Sequence, residues 1–532
     1  MKPPSRSVIE NAGLAVLVTL LVLFAGCQKP KVKAEPIDAR YNVHPAKARL
    51  LFDLVHTHPH TMRGSLDRVS WGYYELTNWH GLLKALGSGG VSTDLLMKGK
   101  ITPSLLRNYG LFCLFFPSHL SESLTPQELD ALEEWVREGG GLFVVGEHDN
   151  ADHSAERLNP LLARFGLEIT YGTVVDEDNT YCEPCWDKYF DFSAHPVTEG
   201  VRAVGVRTGA SVKVQVSHPD RPVGLMASSP SAYLDSWNPE FPPVFSGNLV
   251  REPGEPQGRF FMVAAATPGE GRVMVIGDHN MFDNLTLRYS DNLRLALQAW
   301  NWLSGQKLEL PIKEPEKTIL LPETTRPSDI MFPDSSRDGG NGSLAFYTFF
   351  TVLNRHPGTI AYCTEFLEDD YSIVVLPPKK TRFARSDLEY IKRQHKKGAT
   401  IVVMVDPDQG LGEGTELVLK EFEVDLGPLP KQIRSETGDL LVGDQSVGRC
   451  KVGVYPWPET GSEVVMKLAT ANREYPIIVQ YAPGIQLVLQ AQMLRNDFFE
   501  STTGRNLSRE THKPNEDGLT VFRAVWAWLD GL

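Results

Sequence analysis

The sequence predicts two tandem α/β domains, each with a largely parallel sheet surrounded by helices. Three observations favour this fold class. First, several runs are apolar on both faces, such as LFVV before Gly146, IVVMV before Asp406 and VMVI before Gly277, as in the buried strands of parallel sheets. Second, these runs alternate with amphipathic helical segments, which favours an α/β architecture. Third, the chain contains an internal repeat.

The repeat is visible in two long segments. The segments that begin at Asn108 and at Asp370 both run in the order strand, proline-bearing loop, helix, glycine turn, strand and acidic turn. Later in each copy, GRVMVIGDHN from Gly271 corresponds to GIQLVLQAQM from Gly484. The chain is therefore predicted to hold two copies of one domain, because self-similarity along a sequence indicates repeated structure.

The ends of the repeat define the predicted units. Residues 306–341 are rich in Pro and then in Gly, which is typical of a linker. We expect the second copy to open with a strand in FYTFFTVLN, residues 346–354. The predicted units are a signal peptide at 1–27, a tether at 28–43, domain 1 at 44–305, the linker at 306–341 and domain 2 at 342–532.

The helix of the repeated segment carries similar signals in both copies. In the first copy, Thr125 is a good N-cap and Glu128 completes a capping box. In the second copy, Ser386 is the expected cap. Gly139 and Gly398 are expected to end the two helices, since glycine readily adopts the left-handed conformation that follows a helix.

The first 27 residues predict export. Two basic residues precede the apolar run AGLAVLVTLLVLFAG at 12–26, which is short for a membrane span but fits a secretory signal. The small residues before Cys27 resemble a bacterial lipobox, which implies that Cys27 is lipidated and anchors the chain to a membrane. The resemblance implies an outer-membrane or inner-membrane lipoprotein that faces the periplasm or the cell surface. A plain signal peptide and a membrane anchor are the alternatives.

Composition limits the classes of function. The 532-residue chain is 42% hydrophobic and 22% charged, with a net charge of -13, which is ordinary for a globular protein. The sequence shows no basic stripe, so we expect no nucleic-acid partner. Cys182 and Cys185 form a single CxxC, which is weak evidence for zinc and has a local disulfide as its alternative.

Several short motifs occur in a recognisable order. A first strand runs into Asp53 and a histidine, a helix ends in WVREGGG, and HPVTEGV and GRVMVIGD follow. This series resembles the class I glutamine amidotransferase-like superfamily, and within it the ThuA-like proteins and the gliding-motility and intraflagellar-transport-like domains. The resemblance implies two flavodoxin-like or amidotransferase-like domains, each with three layers and a largely parallel sheet.

The nucleophile of an amidotransferase is missing from the sequence. In that superfamily a cysteine follows the GGG-strand, where Glu147 and His148 stand in this chain. Covalent acyl transfer needs an activated thiol or hydroxyl group, so we predict that the protein is not a glutamine amidotransferase. In ThuA-like proteins, histidines occupy turns that correspond to those of His148 and His279, so the resemblance implies a role for both.

Polar residues cluster where three predicted strands end, in HTHPH, GEHDN and GDHN. In α/β sheets, ligands bind beyond the carboxyl ends of the strands. Imidazoles with carboxylates can hold a divalent transition metal or transfer protons. The candidate catalytic residues are His148, His279, Asp149 and Asp278; the candidate ligand-binding residues are His56, His58, Glu147, Asn150 and Asn280; the candidate metal ligands are His148, His279 and His58.

Some of these polar residues have a purely structural alternative. Acids and asparagines after a strand often cap the helix that follows, which applies to Asp149, Asn150 and Asn280. The second copy offers an internal comparison, because it has Pro407 and Gln492 at the positions of the two turn histidines. That difference predicts a function for domain 1 and a degenerate domain 2.

Two hypotheses about function stay open on the sequence. In the first, the protein is an envelope lipoprotein that binds a ligand, a carbohydrate or an envelope protein, without catalysis. In the second, the ThuA-like resemblance implies an enzyme that acts on carbohydrate through the histidines of domain 1, with a divalent transition metal as the candidate cofactor. In both hypotheses the lipid anchor makes the membrane a partner.

Overall fold

The computed structural model of the protein describes most of both domains. The residues described are 37–58, 78–180, 186–236, 248–284, 286–306, 308, 316–322, 346–356, 359–364, 369–378, 383–407, 410–431, 433–457, 463–495 and 516–532. The predicted signal peptide with Cys27, the CxxC motif and His60 lie outside these ranges. Within them, no helix combines the length and the hydrophobicity that crossing a bilayer requires.

The first domain is built on a nine-stranded mixed sheet. Its spatial order is β1-β3-β2-β4-β5-β15-β14-β12-β9. These strands are β1 (Ile37–Tyr41), β2 (Ala48–Asp53), β3 (Val91–Leu96), β4 (Leu111–Phe115), β5 (Gly141–Val145), β9 (Asp191–Phe192), β12 (Val223–Ala227), β14 (Phe261–Ala266) and β15 (Arg272–Ile276). The strands from β3 to β15 pair in parallel, and the outer strands pair antiparallel.

Six shorter strands of the first domain form three antiparallel pairs outside this sheet, β10 with β8, β11 with β6 and β13 with β7. They are β6 (Leu167–Ile169), β7 (Gly172–Val175), β8 (Trp186–Tyr189), β10 (Val204–Arg207), β11 (Val212–Val214) and β13 (Tyr233–Ser236). The strand β10 matters most for the site, because its last residue contacts the turn that follows β15.

The second domain repeats the order of the five parallel strands of the first. Its nine-stranded sheet runs β17-β16-β18-β19-β24-β23-β22-β20-β21. The strands are β16 (Lys317–Pro322), β17 (Thr359–Thr364), β18 (Ile373–Leu376), β19 (Thr400–Met404), β20 (Arg434–Val442), β21 (Gln445–Val454), β22 (Glu463–Ala469), β23 (Glu474–Ala482) and β24 (Ile485–Val488). The strands from β17 to β24 are again parallel, and the rest are antiparallel.

The prediction of two tandem α/β domains is confirmed. Each sheet combines five parallel strands with antiparallel neighbours, so the expectation of largely parallel sheets describes only the part of each sheet that bears the repeated motifs. In domain 1, the antiparallel strands β14 and β12 extend the sheet beyond β15.

Two predicted boundaries are wrong. The segment Lys317–Pro322, assigned to the linker, is a central strand of the second sheet, and its Ile319, Leu320 and Leu321 are fully buried. The segment FYTFFTVLN, expected to be the first strand, instead supplies most of the helix Tyr347–Arg355. Its apolar residues recur at helical rather than alternating spacing, so they bury one face of a helix.

The predicted tether also contains structure. Ile37–Tyr41, within residues 28–43, is β1 and pairs antiparallel with β3 at the edge of the first sheet. An edge strand of five residues needs few apolar side chains, because only one of its sides pairs within the sheet. The composition of the segment therefore gave little sign of the strand.

Nine helices of the described chain are α-helical and flank the sheets. They are α1 (His80–Ser88), α2 (Pro103–Leu106), α3 (Pro126–Arg137), α4 (Ser154–Leu162), α5 (Asn292–Ser304), α6 (Tyr347–Arg355), α7 (Arg385–Lys396), α8 (Glu413–Glu421) and α9 (Glu516–Gly531). The predicted capping box of α3 is confirmed, with Thr125 and Glu128 bonding reciprocally. The cap of α7 is Ala384 rather than Ser386: the Ala384 N–H donates to Asp387 at 3.0 Å.

The hydrophobic core of each domain lies on both faces of its sheet. Along β5, Phe143 and Val145 join one buried cluster, while Leu142 and Val144 join the cluster on the opposite face. This alternation follows from the two-residue period of a strand. Because both faces are covered, the polar ends of the strands are the places where function-bearing side chains can gather.

Candidate functional site

The candidate site lies at the carboxyl ends of neighbouring strands in the first sheet. The strands β2, β4, β5 and β15 are consecutive and parallel, so the turns that follow them meet at one edge. The turn after β5 brings Glu147 and His148, and the turn after β15 brings Asp278 and His279. Glu147 and His279, which are 132 positions apart in sequence, are thereby placed in contact.

Three residues form the centre of the site. Glu147, Asp278 and His279 each offer one ligand atom, and these atoms lie within 4.8 Å of one another. The Glu147 carboxylate accepts a hydrogen bond at Oε2 from His279 Nδ1, and its Oε1 lies 3.4 Å from His148 Nε2. Glu147 therefore joins the two histidines that the sequence singled out.

The turn that carries His279 is held tightly. Asp278 accepts the N–H of Asn280 at 2.6 Å and the N–H of Arg207, at the end of β10, at 2.7 Å. The indole N–H of Trp79 donates to the His279 carbonyl oxygen at 2.8 Å. These bonds fix the short helical turn His279–Phe282 against the sheet.

The turn that follows Glu147 has an unusual backbone. Asp149, Asn150, Asp152 and His153 have φ of 50°, 48°, 53° and 61°, in the left-handed region that non-glycine residues rarely adopt. Asn150 stabilises the turn, because its side chain donates to Glu156 Oε1 at 3.1 Å and accepts the Glu156 N–H at 3.2 Å. A cluster of such conformations is typical of functional sites.

Burial keeps both turn histidines neutral. It lowers the pKa of His279 to about 3, with a smaller contribution from the charge of His58, and it lowers the pKa of His148 to about 4. A neutral His279 that donates from Nδ1 to Glu147 holds a lone pair on Nε2, which lies 3.2 Å from Asn280 Nδ2. A carboxylate that accepts the Nδ1–H of a neutral imidazole fixes the tautomer and the orientation of the ring.

Asp278 behaves differently from an ordinary carboxylate. Burial is the main cause that raises its pKa to about 8, against the opposing effect of the N–H groups of Arg207 and Asn280, and the nearby Asp283 adds to the rise. Asp283 is itself buried and receives the Arg207 guanidinium at 3.1 Å. Burial therefore disfavours the ionised form of Asp278, which a bound cation would favour.

The set of donors fits a divalent transition metal. Two carboxylates and one imidazole give oxygen and nitrogen ligands of the kind that zinc, manganese and iron accept. Three protein ligands leave a coordination position for water or substrate. Across the ranges that the structure describes, this is the one group of three or more His, Cys, Asp or Glu residues with metal-binding spacing.

Most of the predicted site residues lie together, and some do not. The structure gathers Glu147, His148, Asp278, His279 and Asn280, while Asp149 is buried in the left-handed turn. Asn150 holds that turn by its bonds to Glu156, so its structural alternative is favoured.

The predicted metal trio is not the one the structure assembles. His58 Nε2 lies 3.2 Å from Asp152 Oδ2 and does not belong to the cluster with metal-binding spacing, in which the carboxylates of Glu147 and Asp278 stand beside His279. His148 lies next to Oε1 of Glu147, the carboxylate oxygen that His279 does not contact. The sequence could place these side chains at the same edge, but their directions depend on the turn conformations.

His56 was expected to bind a ligand, but it is fully buried in a structural network. Its Nδ1 lies 2.8 Å from Asp53 Oδ2, and its Nε2 lies 3.6 Å from Glu128 Oε1. Burial lowers the pKa of His56, but the hydrogen bond and charge of Asp53 with the charge of Glu128 outweigh it, and the pKa is raised. His56 therefore ties the end of β2 to the start of α3.

Sequence reasoning missed Phe116, the residue after β4. Its ring stacks on His279 with centroids 5.0 Å apart and on His58 with centroids 5.9 Å apart. Its φ is 36°, which a bulky residue adopts only when its surroundings enforce it. The only signal in sequence was its place between an apolar run and Pro117.

The corresponding edge of domain 2 is filled. Gln492, the counterpart of His279, donates to Gln490 at 2.7 Å and to the Gly453 carbonyl at 3.1 Å. Gln490 in turn bonds both the N–H and the carbonyl of Tyr455, at 2.9 and 2.8 Å. These side-chain amides form hydrogen bonds with backbone N–H and carbonyl groups at the end of β21. Gln492 therefore has a packing role at the position where domain 1 has His279.

Comparison with known families matched one profile, described as a domain of unknown function (DUF4350), over residues 114–299. That range contains both histidine-bearing turns of domain 1. A search of curated proteins found no match to the chain.

Several solved structures resemble about half of the chain. They include the mmIFT52 N-terminal domain (18% identity, 48% of this chain, 97% of that chain, TM-score 0.36). A ThuA-like protein from Bacteroides uniformis (17%, 49%, 94%, 0.28) and one from Parabacteroides merdae (14%, 49%, 91%, 0.26) also match. Likenesses this weak carry no argument about activity, which has to be made from the residues of the site.

Proposed function

We propose that domain 1 is a catalytic domain that binds a divalent transition metal through Glu147, Asp278 and His279 and promotes hydrolysis of a polar substrate. The observation that carries the proposal is the convergence of these three side chains within 4.8 Å at the sheet edge. A metal held there would act as a Lewis acid or lower the pKa of water.

The protein's own residues supply the remaining functions. Glu147 accepts the Nδ1–H of His279 and so orients that imidazole. His148 Nδ1 is buried and has no hydrogen-bond partner in the described part of the chain. Burial keeps His148 neutral, so in the tautomer that donates from Nε2 toward Glu147 its Nδ1 carries a lone pair.

The filled edge of domain 2 supports the assignment of chemistry to domain 1. Both copies share the order of their parallel strands, and domain 2 has Pro407 and Gln492 in place of the two turn histidines, so these histidines are not a requirement of the fold. The ThuA-like resemblance of the sequence makes carbohydrate the substrate class to test first. We also propose that domain 2 has a supporting or partner-binding role.

The anchor is a separate proposal. The lipobox-like sequence before Cys27 supports lipidation of this cysteine and attachment to a bacterial envelope membrane. Growth with an alkyne-tagged fatty acid would label the parent chain and leave Cys27→Ala unlabelled. Equal labelling of both would exclude Cys27 as the lipidated residue.

Metal content tests the catalytic proposal. The full chain, purified in detergent, would be assayed for bound zinc, manganese and iron beside Glu147→Gln and His279→Ala. His44→Gln, which removes an exposed histidine far from the trio in sequence, is the matched control. We expect near one metal per parent and control chain and much less in the two site variants. No metal in the parent after supplementation would refute the metal-dependent proposal.

A further inference from the structure

The turn that carries Asp278 and His279 continues directly into the contact between the two domains. We call residues 278–284 and 286–292 the connecting segment. Its first part holds the candidate ligands, and its last part contains Arg288 and Tyr289, which meet domain 2. A single stretch of chain therefore contacts both the site and the second domain.

Within the segment, hydrogen bonds link each part to the next. Asn280 Nδ2 lies 3.2 Å from His279 Nε2 and donates to Asp283 at 2.9 Å. Thr286 donates its N–H to Asp283 at 2.8 Å and its hydroxyl to the Asn280 carbonyl. Asn292 donates to the Met281 carbonyl at 2.8 Å. The ligand-bearing turn is thus bonded to the start of α5.

At the other end, domain 2 holds the segment. Tyr289 is fully buried and belongs to the apolar cluster formed by α6, α9 and the second sheet. The Arg288 guanidinium donates to the Thr359 carbonyl, in the edge strand β17, at 2.8 Å. Arg288 is half-buried at this contact, and burial lowers the pKa of its guanidinium.

A second contact between the domains is weaker. Arg202 lies 2.8 Å from Asp369 of domain 2, but their side chains are 44% and 48% exposed. Exposed ion pairs contribute little to stability. The contact made by the buried Tyr289 and the half-buried Arg288 is therefore the less exposed of the two.

We infer that domain 2 positions the candidate metal ligands of domain 1 through the connecting segment, with Arg288 and Tyr289 as positioning residues. This inference rests on the proposed function for its effect on metal, but the ordering of the segment does not depend on metal. The degenerate domain then has a role, because its edge strand β17 and its core hold the segment whose first turn carries His279. Coupling of this kind is reciprocal, so metal binding also protects the contact with domain 2.

The test uses the full chain and compares Arg288→Met with Arg288→Lys and Tyr289→Leu. Arg288→Met removes the donor to Thr359, whereas Arg288→Lys keeps a donor and is expected to restore the parent behaviour in part. Arg107→Met removes an exposed arginine of domain 1 and controls for charge. Arg288→Met also keeps the test open should Tyr289→Leu fail to fold.

Two readouts separate this inference from the proposed function. Cobalt(II), followed by its visible absorption, reports the affinity of the site, and we expect its Kd to rise at least about fivefold in Arg288→Met, at the low end of coupling between sites. Amide hydrogen exchange of residues 279–284 in chelator reports the turn without metal, and we expect it to quicken in Arg288→Met but not in Arg107→Met.

The outcomes are distinct. If the parent binds no cobalt, the metal proposal fails, and exchange alone decides whether domain 2 orders the turn. If the parent binds cobalt but Arg288→Met shows the parent's affinity and exchange, the positioning inference is overturned while the metal proposal stands.

Discussion

Replacing Glu147 with glutamine is expected to stabilise the metal-free protein while weakening metal binding. Glu147 is only 1% exposed, and burial leaves its two histidine neighbours without charge, with pKa values of about 4 for His148 and about 3 for His279. A buried carboxylate without a charged partner is costly, because its charge has lost water without gaining an opposite charge. Glutamine has the same shape and no charge.

The two effects can be given sizes. Relief of the buried charge is expected to add about 1 kcal/mol to the free energy of unfolding, which raises the Tm of a domain of this size by about 2–4 °C. A charged hydrogen-bonding partner contributes about 1.5–3 kcal/mol. Loss of the Glu147 carboxylate as a metal ligand is therefore expected to weaken metal binding about 10- to 150-fold, since about 1.4 kcal/mol is tenfold in affinity.

The assay is thermal unfolding of parent and Glu147→Gln, in chelator and with excess zinc. Glu168→Gln is the matched control, since Glu168 is 52% exposed and pairs only with Lys213 among its ion-pair partners in the described chain. We expect the variant to melt higher in chelator and to gain less than the parent from zinc. A lower Tm in chelator would refute the reasoning, because it would show that the carboxylate stabilises the fold by itself.

Three further predictions concern single positions. His56→Gln is expected to lower the free energy of unfolding most below pH 6.5 and progressively less as the pH rises through the raised pKa of His56, since protonated His56 is stabilised by Asp53. Unfolding by denaturant at pH 5.5 and at pH 9 measures this loss. An equal loss at the two pH values would contradict the prediction. Phe116→Gly is expected to relieve about 1 kcal/mol of strain in a backbone held at φ 36°, yet to weaken zinc binding because His279 loses the ring that stacks on it. Calorimetry measures both the stability and the zinc affinity. An unchanged affinity would mean that the stacking does not hold the imidazole. Gln492→His is expected to bind no additional metal by elemental analysis, because Asp406, the counterpart of Glu147, is buried and already pairs with Arg495 at 3.2 Å. A second bound metal would refute this.

Much of the fold followed from local pattern. The apolar runs and their repetition predicted two α/β domains, and the shared strand order of the two sheets has the same origin. Two predictions failed. Residues 346–354 were predicted to form a strand, but their apolar residues recur at helical spacing and form α6. The short apolar run at 317–322 was assigned to the linker, but it is a buried strand.

Local sequence pattern was enough to predict which residues stand at the strand ends. GEHDN and GDHN each follow a buried parallel strand, and adjacent parallel strands deliver their turns to the same edge. From this, Glu147, His148, Asp278 and His279 could be placed together without knowing the turn geometry. The absence of a cysteine nucleophile after β5 was equally visible in the letters alone.

The contacts that these side chains make could not be predicted from local pattern. The left-handed turn after Glu147, which sequence did not predict, carries Asp152, and His58 pairs with this residue at 3.2 Å. The cluster with metal-binding spacing contains Glu147, Asp278 and His279, and the predicted ligands His58 and His148 are not in it. Burial lowers the pKa of His279 and raises that of Asp278. These properties arise from contacts between segments far apart in the chain, which no local pattern encodes, because side-chain direction and desolvation depend on everything packed around the turn.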